Sequence, residues 1–412
     1  MTSEVWVWCW LPGDTTPTLA GRFEHTAAKG VHVGRFVYGR SYVANPDAQP
    51  LDPIQLLLKP KITYETTALQ GFFGPIRDAM PDDWGRFVID RLHGAQSDLT
   101  GYLLKANGDH IGCLGFSASK DTAPAQPWLP GLEIVNAARG VFAGMEEGRP
   151  VEPAMQNIVR PNTALGGARP KLTLVHKGKQ WIAKFPARED RGLPIARVEC
   201  AMLQLAARCG IRAANAQVHE GDVLLVERFD RAQVPSGWRR DAFMSAQSVF
   251  FAEPDVQKYA FSGSYPRLAR ALSKFSEQPR ADREELFRRM AFNCCTSNTD
   301  DHERNHGFVA ADTPGMYVLS PAYDLVPRVH ATQRRHQALG VGEEGFVASR
   351  GNVLSDCTSF GLSVREATEI LDEVQARVRE GWRESFGAQG LDDEQVRFWS
   401  PCFQELPTEV PT

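Results

Sequence analysis

Residues Asn298–Phe308 read NTDDHERNHGF, and nineteen residues beyond Asn305 a lone acid, Asp324, stands in Leu319–Pro327, LSPAYDLVP. Asp300, Asn305 five residues later, and then Asp324 follow the layout of kinase-type phosphoryl transfer. In that chemistry the first acid accepts the proton of the attacking hydroxyl, while the asparagine and the later acid hold Mg2+ against the ATP phosphates. Mg2+ takes hard oxygen ligands and only a few of them from protein, a share that Asn305 and Asp324 can supply. A zinc reading of the same stretch uses Asp301, His302 and His306, the two histidines four apart as in H-E-x-x-H sites. Asn305 and Gly307 interrupt the helix such a site needs. Asp, Asn and His also fill turns because their side chains bond the backbone, so taken alone the run fits a self-capped loop as well.

The rest of the chain narrows the choice. A chain of 412 residues exceeds what a single core organises, so two or three domains are expected. The 42% hydrophobic and 23% charged content is that of a folded chain, and a net charge of −4 gives no global case for nucleic-acid binding. MTSEVWVWCWLPGD at the start lacks the basic and apolar regions of a secretory signal, and no run reaches the length of a membrane span. The eight cysteines are scattered, with only Cys294 and Cys295 adjacent and no C-x-x-C pair. These features predict a reduced, soluble, cytoplasmic protein with no membrane segment.

Patterning predicts strands first and helices later. EVWVWCWL, GRFVYGRSYV and PIQLLL carry β-branched and aromatic residues between turn formers. Gly71–Leu92, GFFGPIRDAMPDDWGRFVIDRL, shifts to helical spacing, and DTAPAQPWLPG reads as a loop. Lys171–Phe185 reads as a hairpin turning at Gly178, and Ile195–Gly210 as a helix with Val198, Met202, Leu205, Ala206 and Cys209 on one face. Past residue 240 the pattern is mainly helical. Its clearest case is Ser363–Trp382, where Ser363 and Glu366 form a capping box and Val364, Ala367, Leu371, Val374 and Val378 line one side. The layout is α+β.

Four further pieces carry chemistry. Ala164–Lys171, ALGGARPK, offers glycines that let backbone amides approach a phosphate, although it is not a Walker A sequence and equally suits a plain turn. Lys184 in WIAKFP stands among apolar strand residues, where a kinase needs a phosphate-contacting lysine held by a helix glutamate; Glu199 is the natural partner. An edge-strand lysine covering apolar surface is the plainer reading. Leu224–Arg231, LLVERFDR, suits a hinge whose backbone bonds an adenine edge, or any strand exit. Glycine turn, strand lysine, helix glutamate, hinge, base acid with asparagine, and metal acid come in one order, which unrelated loops have no reason to assemble.

With these pieces in place the chain resembles the HipA family of bacterial serine/threonine kinases, the toxin components of HipBA-type toxin–antitoxin systems. LGGARPK, WIAKFP, LLVERFDR, NTDDHERNHGF and LSPAYDLVP carry the resemblance, with FFGPIRDAMPDDWGR and NGDHIGCLGF extending it over nearly the whole chain. It implies a two-lobed kinase-like fold: a β-rich N-terminal subdomain (1–150), a nucleotide-binding lobe (151–235) and an α-helical catalytic lobe (236–412). Carried over by motif, Asp300 is the catalytic base with His302 beside it, and Asn305 and Asp324 ligate Mg2+. Gly166, Gly167, Ala168 and Lys171 lie at the ATP phosphates, with Lys184 and its partner Glu199. Glu227, Arg228, Phe229 and Asp230 form the adenine hinge, and Tyr323 adjoins the metal acid.

The resemblance also implies partners: a small helix-turn-helix antitoxin of the HipB kind, and a protein substrate, which in the best-known members is an aminoacyl-tRNA synthetase. Contact with DNA would come indirectly, through the antitoxin. One position departs from the family. Seven residues before the lysine of GGxxPK, where members carry a serine whose autophosphorylation inactivates them, this chain has Ala164. Thr163 is the neighbouring hydroxyl, one residue out of register. Two alternatives stand beside the protein kinase: a non-catalytic nucleotide-binding regulatory module, and a kinase acting on a small molecule.

Overall fold

The computed structural model describes residues 2–159, 167, 169–190, 192–252, 263–330 and 334–408. Its contacts divide the chain into two compact units, Met1–Gly192 with Leu225–Met244, and Leu193–Leu224 with Ser245–Thr412. The fold is α+β, as the sequence pattern predicts.

In the first unit β1 (Thr2–Trp10), β2 (Pro17–Ala28), β3 (Val31–Tyr38), β4 (Thr63–Thr66) and β5 (Leu114–Ser117) form an antiparallel sheet of order β4-β3-β2-β1-β5. Its core holds Trp10, Phe23, Phe36, Phe72 and Phe73, all but removed from water. Gly34 is required on β3, because a Cβ there would collide with the carbonyl oxygen of Gly71. Two expected strands are corrected. PIQLLL is a turn, since the Asp52 carboxylate accepts the N–H groups of Ile54 (2.8 Å) and Gln55 (3.0 Å), an Asx turn that outcompetes the apolar run. Arg40–Val43, the end of GRFVYGRSYV, is one helical turn. Helix α1 (Asp83–His93) lies where helical spacing was expected.

The predicted hairpin is present as β6 (Lys171–His176) and β7 (Lys179–Lys184), with Gly178 at φ +71° in the turn. It belongs to a four-stranded sheet of order β6-β7-β9-β8, with β8 (Ala216–His219) and β9 (Val223–Glu227); the division between the units falls inside β9. A second hairpin follows, β10 (Arg231–Val234) and β11 (Gly237–Arg240).

In the second unit α2 (Ile195–Arg208), which the sequence groups with segment 151–235, packs on α5 (Val364–Ala388). That helix packs on α4 (Pro279–Cys295), and α4 on α3 (Tyr265–Phe275). Both halves of the Ser363–Glu366 capping box form. Ala367, Leu371, Val374 and Val378 are buried, but Val364, in the first turn, is 63% exposed, so the apolar face starts one turn later than expected. A small sheet of order β12-β13-β14 joins β12 (Phe243–Ser245), β13 (Gly307–Ala310) and β14 (Tyr317–Leu319). All eight cysteines are buried and unpaired, and among the described residues no helix is long and apolar enough to cross a membrane.

The strand exit LLVERFDR has a task its sequence does not announce. Arg228 and Asp230 are buried, and the Arg228 guanidinium donates to Asp230 (2.8 and 2.9 Å) and to Asp109 (2.8 Å). Arg231 adds a 2.8 Å bond to Asp230, whose carboxylate also accepts the Gly112 N–H at 2.8 Å. The hinge motif is thus bolted to NGDHIGCLGF within the first unit. The Arg228 N–H is spent on the Gln180 carbonyl (2.9 Å), so neither side chain, nor that N–H, is left for a nucleotide. The side chains of Arg228 and Asp230 thus serve this cluster, while the adenine contact expected of the hinge is one of main-chain atoms.

His110 lies beside the cluster, with Nδ1 2.7 Å from the Ala79 carbonyl oxygen. Burial pushes its imidazole down to about 4, against the opposing pull of that hydrogen bond. An unfolded histidine takes its proton near 6.5, so between the two values the unfolded chain holds a proton the fold excludes, and stability falls as pH falls. Between about pH 7 and about pH 5 the mismatch costs about 2 kcal/mol. Asp52, a carboxyl that burial raises to about 6, acts oppositely in this window, so the readout is a difference: urea unfolding should show His110→Asn losing about 2 kcal/mol less than the parent between pH 7 and pH 5, and equal pH dependences would disprove it.

Candidate active site

The first unit supplies an anion-friendly corner. The β6–β7 register sets Lys171 opposite Lys184, so both side chains leave the same face of the sheet. Lys171 is buried and Lys184 half-buried. Gly167 has φ +99°, and a Cβ on it would strike the Lys171 ammonium, so only glycine lets that lysine lie against the loop. The Gly167 N–H donates to the Asp82 carboxylate at 2.7 Å. Asp82 stands at the N-cap position of α1 but does not cap it with its side chain. PDDWGR therefore anchors the glycine loop, a role that pairing of an off-helix acid with a distant backbone amide hides from sequence reading. Gly166, Ala168, Thr163 and Ala164 lie outside the described residues. Glu227 pairs with Lys179 at 2.8 Å.

The second unit carries NTDDHERNHGF on the loop leaving α4. Asp300 faces solvent, where Arg328 donates to its carboxylate at 2.5 Å. Its neighbour Asp301 is 1% exposed. There it accepts from the Tyr265 hydroxyl, from Asn293 Nδ2 (2.7 Å) and from His306 Nε2 (2.7 Å). The turn at Thr299–Asp300 sets one of the two adjacent carboxylates out and the other in. That doubling, with the second histidine, was the available signal for a network sequence reasoning missed.

His302 caps the short turn Glu303–Asn305 through Nδ1, which accepts the Arg304 N–H at 3.3 Å. The Asn305 amide nitrogen donates to the Asp300 carbonyl at 3.3 Å, leaving its oxygen as the atom to meet a cation. The zinc set is not assembled: Asp301 and His306 face each other in the core while His302 is a cap, and no metal-holding group of His, Cys, Asp and Glu occurs among the described residues.

The second loop is tied to the first. The Tyr323 hydroxyl donates to the Arg304 carbonyl at 2.8 Å, one residue from Asn305. Ala322 bridges to the Arg212–Ala214 segment by bonds of 2.7 and 2.8 Å, and Arg289 donates to the Ser320 carbonyl at 2.7 Å. Between these anchors Asp324 has φ +60°, a conformation that costs a non-glycine residue roughly 1–2 kcal/mol. Such strain persists only where surroundings impose it and clusters at functional sites. An amide oxygen and a carboxylate on loops so joined are hard donors of the kind Mg2+ takes, so the residues fit that ion. Glu199 lies buried on α2 of the second unit, whereas Lys184 ends β7 in the first.

A family model described as the HipA-like C-terminal domain matches residues 163–382, more than half of the chain. The chain belongs to that family. HipA of Shewanella oneidensis MR-1, solved with HipB and operator DNA, shares its fold at TM-score 0.68 over 97% of this chain and 94% of that one, with 20% identity. The proinflammatory kinase CtkA of Helicobacter pylori aligns over 59% of this chain at TM-score 0.41 and 13% identity, too remote to carry weight. Y4dM of Sinorhizobium fredii, a protein provisionally named a kinase, is 29% identical over 231 residues. That match covers 49% of this chain and 53% of Y4dM, so it spans about half the length of the curated relative. Among the residues of the HipA-like domain, adjacent carboxylates separate sharply in predicted effect. Asp301→Ala strands three buried donors and should cost about 3–5 kcal/mol. Asp300→Asn, on the surface, should change stability by less than about 0.5 kcal/mol. Urea unfolding of both variants measures the contrast, and similar losses would contradict it.

Proposed function

We propose that this chain is an ATP- and Mg2+-dependent kinase that phosphorylates serine or threonine in a translation-related protein, arrests growth, and is held in check by a small helix-turn-helix antitoxin. The observation that carries the reading is the divided acid pair of NTDDHERN: Asp300 exposed at the surface, Asp301 spent on structure, and Asn305 tied through Arg304 and Tyr323 to the strained Asp324. Family membership supports it. So does the naming of Y4dM as a kinase, and the HipB and operator DNA in the Shewanella HipA complex support the antitoxin.

In this reading Asp300 takes the proton of the substrate hydroxyl as that oxygen attacks the γ-phosphorus, and the bond to ADP breaks. His302 keeps the turn after the base in shape. Lys171 and Lys184 attract the phosphates, with Glu199 as the proposed partner of Lys184. The main chain at Glu227 and Phe229 receives the adenine edge. Asn305 and Asp324 would hold Mg2+, which would supply positive charge against the phosphate repulsion of the nucleophile. Arg328 must release Asp300 before a hydroxyl can approach its carboxylate. The chain's net charge of −4 suits DNA contact through the antitoxin rather than directly.

Asp300→Asn should lower phosphate transfer to proteins of a host lysate by about 100-fold or more and remove growth arrest on expression, with unfolding unchanged. A variant as active and as toxic as the parent at equal expression would sink the assignment. Ala164 removes the hydroxyl on which the family's self-inactivation depends. Prolonged incubation with ATP and Mg2+ should therefore leave residues 162–171 unmodified, whereas Ala164→Ser should gain a phosphate there and bind ATP more weakly through like-charge repulsion. Mass spectrometry reads both; stoichiometric phosphate on Thr163 of the parent would show that the switch has moved rather than vanished.

A further inference from the structure

Beneath the catalytic loop of the second unit is a cavity of about 10 Å3, lined among others by Arg289, Asn293, Asp301, Asn305, His306 and Tyr323. Two of these residues bring a buried nitrogen with no hydrogen-bond partner: Arg289 Nη1 and His306 Nδ1. Both residues are almost wholly buried, at 3% and 2% exposure. Their other polar atoms are engaged. His306 Nε2 meets Asp301 at 2.7 Å, while Arg289 Nη2 donates to the Ser320 carbonyl at 2.7 Å and to Glu285 at 2.9 Å. With Nε2 bonded to a carboxylate, Nδ1 is the one polar atom of the imidazole left to bond, and a guanidinium Nη1 is only a donor. Two residues that each bring an unpartnered buried nitrogen therefore line one space of the smallest size that holds a water molecule.

We infer that this cavity is the binding site of a single structural water that accepts from Arg289 Nη1 and donates to His306 Nδ1, coupling the loop of Asn305 to the loop of Asp324. The water completes a continuous polar chain, Asp301–His306–water–Arg289–Ser320. At one end it reaches the residue before Asn305's own turn, and at the other the strand exit that leads through Ala322 to Asp324. Left apart, each nitrogen would be buried and unsatisfied, a cost of about the size of a lost hydrogen bond. The chain sets the spacing between the two oxygen donors assigned to Mg2+. Arg289, His306 and the water are thus positioning groups, none of which touches the metal. The inference rests on the proposed assignment of Asn305 and Asp324 as metal ligands.

The test begins with a high-resolution crystal structure of the full chain. One ordered water within hydrogen-bonding distance of both nitrogens is expected; an empty cavity, or the two side chains bonded to each other, would overturn the inference. Binding then checks the coupling. His306→Gln sets an amide nitrogen near the Nε2 position, keeping the bond to Asp301 while losing the Nδ1 acceptor. Its affinity for ATP with Mg2+, read by calorimetric titration, should fall about fivefold, the equivalent of one ordinary hydrogen bond. Affinity for ATP in the presence of a chelator should not change. Asp324→Asn serves as the reference. If it leaves the Mg2+-dependent part of the affinity intact, the ligand assignment itself fails. If it abolishes that part while His306→Gln binds like the parent, the assignment stands and the coupling does not.

Discussion

A carboxylate removed from water must have its charge met by donors, and Asp301 organises the NTDDHERNHGF loop around that requirement. Three side chains from separate segments, Tyr265 on α3, Asn293 on α4 and His306 beyond the turn, converge on it. Because the donors come from different helices, the loop cannot shift without stranding at least one of them. Such a network is weak evidence of net stability, since desolvation offsets most of the attraction. What it does secure is geometry. With Asp301 pinned inward, Asp300 is turned outward and Asn305 is caught in the turn between two fixed points.

The same logic operates in the first unit with opposite stakes. Arg228 and Arg231 meet Asp109 and Asp230 in a dry cluster that joins two segments more than a hundred residues apart in sequence. Burial alone would raise the Asp230 carboxyl; the two guanidiniums and the Gly112 N–H override it and hold it well below the usual range. The strand exit is thereby rigid. Lys171 and Lys184 stand opposite each other across the β6–β7 pair, the first buried and the second half-buried.

Much of this was legible. The hairpin at Gly178, the helix of Ile195–Arg208 and the capped helix after Ser363 follow from period and turn chemistry, which act over a few residues. The candidates Asp300 and Asp324, the first exposed and the second half-buried, stand out through their spacing around Asn305. PIQLLL misled because a single preceding acid, Asp52, bonds two amides and turns an apolar run away from any sheet. In LLVERFDR the charges look available in one dimension, but the partners of Arg228 and Asp230, Asp109 and Gly112, lie far back in the chain.

The sequence by itself determined the α+β layout and the order of the motifs, since each depends on neighbours within one turn or strand. Only the tertiary structure decided which of two adjacent acids faces water and which is buried. It alone decided that Asp82 holds the glycine loop through Gly167, and that a hinge arginine belongs to a buried ion cluster. The reason is physical: a side chain's role is set by what satisfies its charge or hydrogen bonds, and those partners arrive from segments whose separation along the chain carries no local signal.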